Sequence, residues 1–274
     1  MAIGETWTVE SGIRLVRTTS TSTIVMLDNS YRTYYAGISS ATSADGLNWS
    51  PKGIVVRSNS NEFNRNPVIF RTNANTFVMI YEQVVNNVGR FYRATSVDGA
   101  TFTMTPSAPV LEPIGTDKNF LSVPEIIALE GRTIRMYYVA GGALTESATS
   151  TDDGITWTRE GRITVSGLNV ANWIVDVDVV RLADGAYRMY FATGPDGVAG
   201  LTSKRIRSAT SPDGRTFALD AGVRIAPLAT GDDVVDPDVI QLPDGRYRMY
   251  YGYSTAGSPY NLMSAITRTL DVPR

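Results

Sequence analysis

One short pattern recurs four times along the chain and constrains its fold more than any other feature. Residues 40–49 read SATSADGLNW, 93–102 RATSVDGATF, 147–157 SATSTDDGITW and 208–217 SATSPDGRTF. Each copy is a run of small and β-branched residues that meets an Asp-Gly and resumes at Trp or Phe. A chain that repeats itself in this way stacks copies of one supersecondary unit. Asp-Gly between two such runs is a hairpin signal, because glycine supplies the positive φ and aspartate bonds the backbone of the turn.

The rest of the unit surrounds the pattern. A short apolar strand with a polar or acidic start comes first: NPVIF from Asn66, PEIIAL from Pro124, DVDVVRL from Asp176 and DPDVIQL from Asp236. A turn follows, as at Ala183-Asp184-Gly185 and Pro243-Asp244-Gly245. An aromatic-rich strand comes next, as YRTYYAG (31–37), FVMIYEQ (77–83), IRMYYVA (134–140), YRMYFAT (187–193) and YRMYYGY (247–253). Alternating β-branched and aromatic residues predict strands, with the Tyr and Met positions in the core. The aromatic strand occurs five times and the Asp-Gly turn four, so the last copy lacks its final strand. That strand stands at the other end of the chain, where WTVESGIRLV from Trp7 matches WTREGRITV from Trp157 and FALDAGVRI from Phe217. The predicted fold is therefore all-β: a single domain over residues 1–274, a five-bladed β-propeller of four-stranded antiparallel blades, its ring closed by the N-terminal strand completing the last blade.

Composition excludes whole classes of chemistry. With 43% hydrophobic residues the chain can bury a large core. It has no cysteine and no histidine, which removes disulfides, thiolate nucleophiles, Ser-His-Asp catalysis and the usual zinc sites. Acid–base work falls to Asp, Glu, Tyr or Lys. A net charge of −2 without basic clusters gives no nucleic-acid face. No apolar run approaches the ~20 residues of a membrane helix. The start, MAIGETWTVES, does not read as a secretory signal, so the location stays open between secreted and not.

Against that background the acids at the starts of the innermost strands stand out. Asp176 and Asp178 in VDVDVV match Asp236 and Asp238 in VDPDVI. Strand alternation would aim each pair one way. Four carboxylates so placed repel unless protonated, hydrogen-bonded or bound to a cation, and calcium at Asp176 and Asp236 suits an all-oxygen donor set. The alternative is that they cap the inner-strand turns. Phe63, Phe120 and Trp173 precede the inner strands of blades two to four, either as platforms for sugar faces or as packing between blades. Asn64, Arg65, Asn119 and Asn172 stand beside them, and Asp232 and Asp233 precede the fifth inner strand.

DPDVIQLPDGRYRMYYGY, together with Y-x-A-T-S-x-D-G-x-x-[FW], resembles the five-bladed propeller glycosidases, glycoside hydrolase families 43, 32, 68 and 130, over essentially the whole chain. The copy STDDGITW also matches the Asp box of sialidases, a structural hairpin in that family, whose six blades set it aside here. The resemblance implies carboxylates converging on the mouth of a central channel and a carbohydrate ligand. Position by position, the family's second-blade Arg-Asp-Pro matches Arg65-Asn66-Pro67. Its third-blade Glu-x-Pro matches Ser122-Val123-Pro124, with Glu125 following, and its first-blade acid falls near Thr21-Ser22-Thr23. All three positions lack their carboxylate.

Three functions follow. The first is an inverting glycoside hydrolase needing no cofactor, in which Asp176 or Asp236 activates water and Glu125, Asp178 or Asp238 protonates the leaving oxygen. The residues expected to hold its ligand are Phe63, Arg65, Asn66, Phe120, Ser122, Trp173 and Asp233. The second is a propeller that binds glycan or another small molecule without cleaving it. The third is a channel recruited to non-glycosidic chemistry.

Overall fold

The structure is a computed structural model that describes residues 6–16, 23–27, 30–56, 63–141, 144–168, 173–196, 198 and 201–268, with the backbone alone for Ala36 and Phe63. They form two compact units, residues 21–162, and residues 1–20 with 163–274.

The N-terminal strand is β1 (Thr8–Val9). Unit 21–162 holds three antiparallel meanders in chain order. The first is β2 (Thr23–Leu27), β3 (Ser30–Tyr35), β4 (Ser39–Ser43) and β5 (Ser50–Ile54). The second is β6 (Phe63–Arg71), β7 (Phe77–Val85), β8 (Val88–Ser96) and β9 (Thr103–Met104). The third is β10 (Leu121–Ala128), β11 (Ile134–Ala140), β12 (Leu144–Ser150) and β13 (Thr158–Arg162).

The other unit holds β14 (Thr164–Ser166), then β15 (Val175–Arg181), β16 (Tyr187–Thr193), β17 (Arg205–Ser211) and β18 (Thr216–Leu219) as a fourth meander. β19 (Asp233–Gln241), β20 (Tyr247–Ser254) and β21 (Asn261–Thr267) make the fifth. β1 completes that sheet, with Thr8 opposite Ile266 and Val9 opposite Ala265, as the sequence match predicted. These five sheets are the blades of a five-bladed β-propeller, and helix is confined to two short 3-10 turns among the described residues. One addition was not foreseen: β14 lies parallel to β18 and covers its outer edge, which removes an exposed ladder of unpaired backbone groups.

The outer strand is held by a recurring ion pair. The second residue of three aromatic strands is an arginine that meets the acid three residues after the Trp or Phe of the fourth strand. Arg135 forks onto Glu160 at 2.8 and 3.0 Å, Arg248 onto Glu10 at 2.8 and 3.0 Å, and Arg188 approaches Asp220 at 3.3 Å. Glu10 therefore docks the N-terminal strand through side chains as well as backbone. Burial draws its carboxyl up, but hydrogen bonds from Arg248 and Ser264 outweigh it and hold Glu10 below the usual carboxylate range.

The Asp-Gly segments are self-contained turns. Ser43, Ser96, Ser150 and Ser211 each donate to the following aspartate and accept the glycine N–H. The aspartate Oδ1 accepts two further backbone N–H groups, from Leu47 and Asn48 onto Asp45 and from Ile155 and Thr156 onto Asp152. The N–H groups of Asn48 and Leu47 hold the Asp45 carboxyl well below its ordinary range. In the copy with two aspartates Asp152 plays this part, and Asp153 is an inserted residue at φ 60°.

Two of the aromatics after the turns, and the matching Trp7 of the N-terminal strand, pack against the neighbouring blade of their own unit. Phe102 lies edge-on to Tyr34 at 5.7 Å, and Trp157 joins the cluster of Phe91 and Tyr138, themselves 5.8 Å apart. Trp7 meets Tyr190 at 5.8 Å in the other unit. Such pairs add about 0.5–1.5 kcal/mol each beyond the area they bury. Tyr34 also donates to the Gly99 carbonyl at 2.7 Å. A Cβ on Gly99 would come within 2.8 Å of that hydroxyl, so only glycine fits this contact.

Candidate functional site

Among the described residues, four inner strands break their ladder at the same point. The register shifts between Arg65 and Val68, Ser122 and Glu125, Val175 and Asp178, and Val235 and Asp238. The residue after the first of each pair has left-handed backbone: Asn66 at φ 50°, Val123 at 51°, Asp176 at 53° and Asp236 at 52°. Asn and Asp tolerate that region best, whereas valine adopts it only under strain. Each bulge re-aims side chains at the start of an inner strand.

The bulges also correct the alternation reading of the acidic pairs. With an extra residue between them, Asp176 and Asp178 enter different surroundings. Asp178, 6% exposed, accepts the Val239 N–H of the next inner strand at 2.9 Å and so ties β15 to β19. Burial, then the charge of Asp238, raises its carboxyl well above the ordinary value.

Asp176 belongs to a second group. Its half-buried carboxyl is pushed up to about 6 by burial, against the pull of Lys204 and with the push of Asp233. Lys204 Nζ lies 2.7 Å from Asp233 Oδ2, while the Lys204 N–H donates to Asp233 Oδ1 at 2.8 Å. Tyr260 donates to Asp233 at 3.3 Å. Burial and the charges of Asp233, Asp236 and Asp176 drive its hydroxyl well above the usual range. Asp236, 5% exposed, lies beside Gly252, where a Cβ would stand 3.7 Å from Asp236 Oδ2 and 3.4 Å from the Tyr260 ring. Three carboxylates, one ammonium and one phenol thus share one locality, in which Asp176 is the carboxyl raised toward pH 6.

Asp232, expected beside Asp233, is instead a loop cap, accepting from Tyr253 at 2.6 Å and from the Ala256 N–H at 3.2 Å. Trp173, 41% exposed, stands two residues before β15. Among the described residues no group of three or more acids is arranged to hold a metal ion. Asp233 already faces Lys204, so the residues present do not fit the calcium expected at Asp176 and Asp236.

Unit 21–162 treats the same ladder point differently. Arg65, Asn66 and Ser122 do come together, around a carboxylate that the sequence reading overlooked. Glu82 in β7 is fully buried. Arg65 Nη2 donates to its Oε1 at 2.5 Å, and Asn66 Nδ2 and Ser122 Oγ donate to its Oε2 at 2.7 and 2.5 Å. Asn66 also donates to Ser122 at 3.0 Å. The groups expected to meet a ligand are thus turned inward, and Asn64 likewise accepts from Gln83 at 2.9 Å. Glu125 is half-buried opposite Tyr137 in this unit. Phe120 is half-buried and Asn119 exposed. Thr21, Ser22, Asn172 and the Phe63 side chain lie outside the described residues.

Glu82 had a signal. At the sixth position of the aromatic strands the other four copies carry Ala36, Val139, Ala192 and Gly252. An ionised side chain there, in an otherwise apolar strand, needs a partner. Lys204 and Tyr260 had none, since both sit at loop–strand junctions and reach the site only through tertiary contact.

No protein-family model matches the chain, and no curated protein matches its sequence. Solved structures match its fold along nearly its whole length. A thermostable family-43 glycoside hydrolase aligns with a TM-score of 0.70 at 16% identity, covering 91% of this chain and 88% of its own. An α-L-arabinanase of Cellvibrio cellulosa, complexed with arabinohexaose, gives 0.67 at 12% identity over 91% of each chain. An N-acetylgalactosamine deacetylase from F. plautii, in complex with blood group B trisaccharide, gives 0.70 at 13%, covering 97% and 94%. The fold is that of the propeller glycosidases.

Proposed function

We propose that the chain acts on carbohydrate as a glycoside hydrolase, with Asp176 as general acid and Asp236 as the carboxylate that activates water. The observation that carries this reading is Asp176. It stands on a left-handed bulge and is pushed up to about 6 beside the Lys204–Asp233 pair. A carboxyl still protonated near pH 6 can give its proton to a leaving glycosidic oxygen. Asp236, on the matching bulge of the next inner strand, supplies the second carboxylate that glycoside hydrolysis requires. Water activation by that carboxylate inverts the anomeric centre.

The test is reducing-sugar release from a panel of plant and microbial polysaccharides and aryl glycosides. Asp176→Asn should lower turnover by about 10²-fold or more, the usual contribution of a general acid, with the fold intact by circular dichroism. Full activity in both Asp176→Asn and Asp236→Asn overturns the assignment.

A second reading, glycan binding without cleavage, is favoured by the Glu82 cluster. Asn66 and Ser122 stand where the resembling glycosidases carry carboxylates, and both are spent on Glu82. It expects saturable sugar binding, weakened by Trp173→Ala, and no bond broken by the wild type.

A further inference from the structure

Lys204 has neighbours that look elsewhere. Ser203 and Arg205 line a cleft of about 370 Å³ together with Pro195, Pro227, Leu228 and Thr230. That volume lies in the range of small-ligand sites. Its lining mixes apolar side chains, Leu228 among them at 90% exposure, with two hydroxyls and a guanidinium.

The guanidinium is the group that points to a ligand, because it lacks the acid that its neighbours have. Among the described residues no acid pairs with Arg205, and its buried Nε has no hydrogen-bond partner. Thr193 stands directly across the ladder from Arg205, fully buried, and its hydroxyl has no partner among the described residues either. Directly opposed side chains share one face of a sheet. Nearby cations differ: Lys204 is matched by Asp233 and Arg207 by Asp196 at 2.6 Å. A guanidinium is a planar fork of donors suited to two oxygens of one carboxylate. Orphaned buried donors in native structures are rare and call for a partner.

We propose that this cleft binds the carboxylate of an acidic sugar, a uronic acid residue. Arg205 grips the carboxylate, Ser203 and Thr230 face the ring hydroxyls, and Pro195, Pro227 and Leu228 pack against the apolar ring face. The sugar part rests on the carbohydrate reading above, whereas the carboxylate part rests on Arg205 alone.

Calorimetric titration with digalacturonate and with its neutral galactose counterpart tests this. The wild type should bind the acidic disaccharide and discriminate against the neutral one. Arg205→Met should weaken acidic binding about tenfold to hundredfold, the loss expected for a charge-assisted pair. Since Arg205 is half-buried, Leu228→Glu serves as a second variant on an exposed side chain. It puts a like charge at the rim and should also weaken the acidic ligand while sparing the neutral one. Equal binding of the two sugars, or acidic binding unchanged in both variants, overturns the inference. Cleavage of neutral glycans indifferent to Arg205 would leave the glycosidase reading standing and sink this one. Arg205-dependent uronate binding without any cleavage would do the reverse.

Discussion

Glu82→Leu is the substitution whose cost can be worked most directly from the structure. Glu82 is fully buried and accepts from three donors. Arg65 keeps 31% of its side chain exposed and can recover water when the carboxylate goes. Asn66 and Ser122, at 4% and 3% exposure, cannot. Each buried donor left without an acceptor costs about 1–3 kcal/mol, and removing one member of a buried ion pair costs about 3–5 kcal/mol in total. We expect a loss of about 4 kcal/mol, which for a chain of this size lowers the melting temperature by roughly 10 °C. Glu82→Gln keeps one acceptor oxygen but turns an amide NH₂ toward a donor, so it should fall between Leu and wild type. The decisive control is the pair Arg65→Met with Glu82→Leu. Removing both charges should cost less than the two single losses together, with a coupling of at least about 1 kcal/mol. Calorimetry and urea unfolding measure all four proteins. A melting temperature within about 2 °C of wild type for Glu82→Leu, or strict additivity in the cycle, would refute the view that these side chains exist to hold a relocated carboxylate.

Turnover should fall as pH rises through about 6, where the proposed general acid Asp176 loses its proton. Removing the cation that holds Asp176 down, by Lys204→Met, should move that limb to higher pH, and a pH–rate profile that does not move counts against the pairing. A carboxyl raised in the folded state also binds its proton more tightly there than in the unfolded chain. The contribution of Asp176 to stability is thus greatest below the unfolded value of ~3.9 and is lost as pH climbs through about 6. Glu10→Ala should cost about 3 kcal/mol in urea unfolding by stranding Arg248, which is 6% exposed. Glu10 is held low, so its contribution runs the other way: present above ~4.3 and lost as pH falls through the folded value. Asp152→Ala should destabilise by about 1–2 kcal/mol through the lost turn bonds and leave turnover unchanged, whereas a loss of activity with retained stability would reopen a catalytic role for the turn.

What could be read from the sequence was whatever rests on local chemistry. The alternating aromatic strands follow from the period of the β-pleat, and the Asp-Gly hairpins from φ above zero. The completion of the last blade by Trp7–Glu10 follows because Trp7 and Glu10 repeat Trp157 and Glu160. These features need no knowledge of distant neighbours. The bulges are harder, because one inserted residue leaves almost no mark on composition. It nevertheless undoes the i, i+2 rule that put Asp176 and Asp178 in one place. A trace does exist in hindsight: Asn66, Asp176 and Asp236 share one position and are all residues that accept left-handed backbone.

The two acidic sites occupy the same ladder point of their own blades. The residue opposite the start of each bulge is Glu82, Val139, Ala192 or Gly252. Where the bulge residue is Asp236, the opposing Gly252 leaves room for its carboxylate and for the Tyr260 ring, and a Cβ there would already come within 2.9 Å of Val235. Where the bulge residue is Asn66, the carboxylate comes from the opposing strand as Glu82, and the amide has become its donor. In β10, Val123 and Val139 supply no acid at all. Each of these four blades thus places at most one carboxylate at this point, from one strand or the other, because two in so small a buried space would each raise the cost of ionising its neighbour. Which strand supplies it decides its chemistry. Glu82 is fixed by three donors, while Asp176 faces Lys204 and Asp233 and keeps a proton into the range where it can give one away.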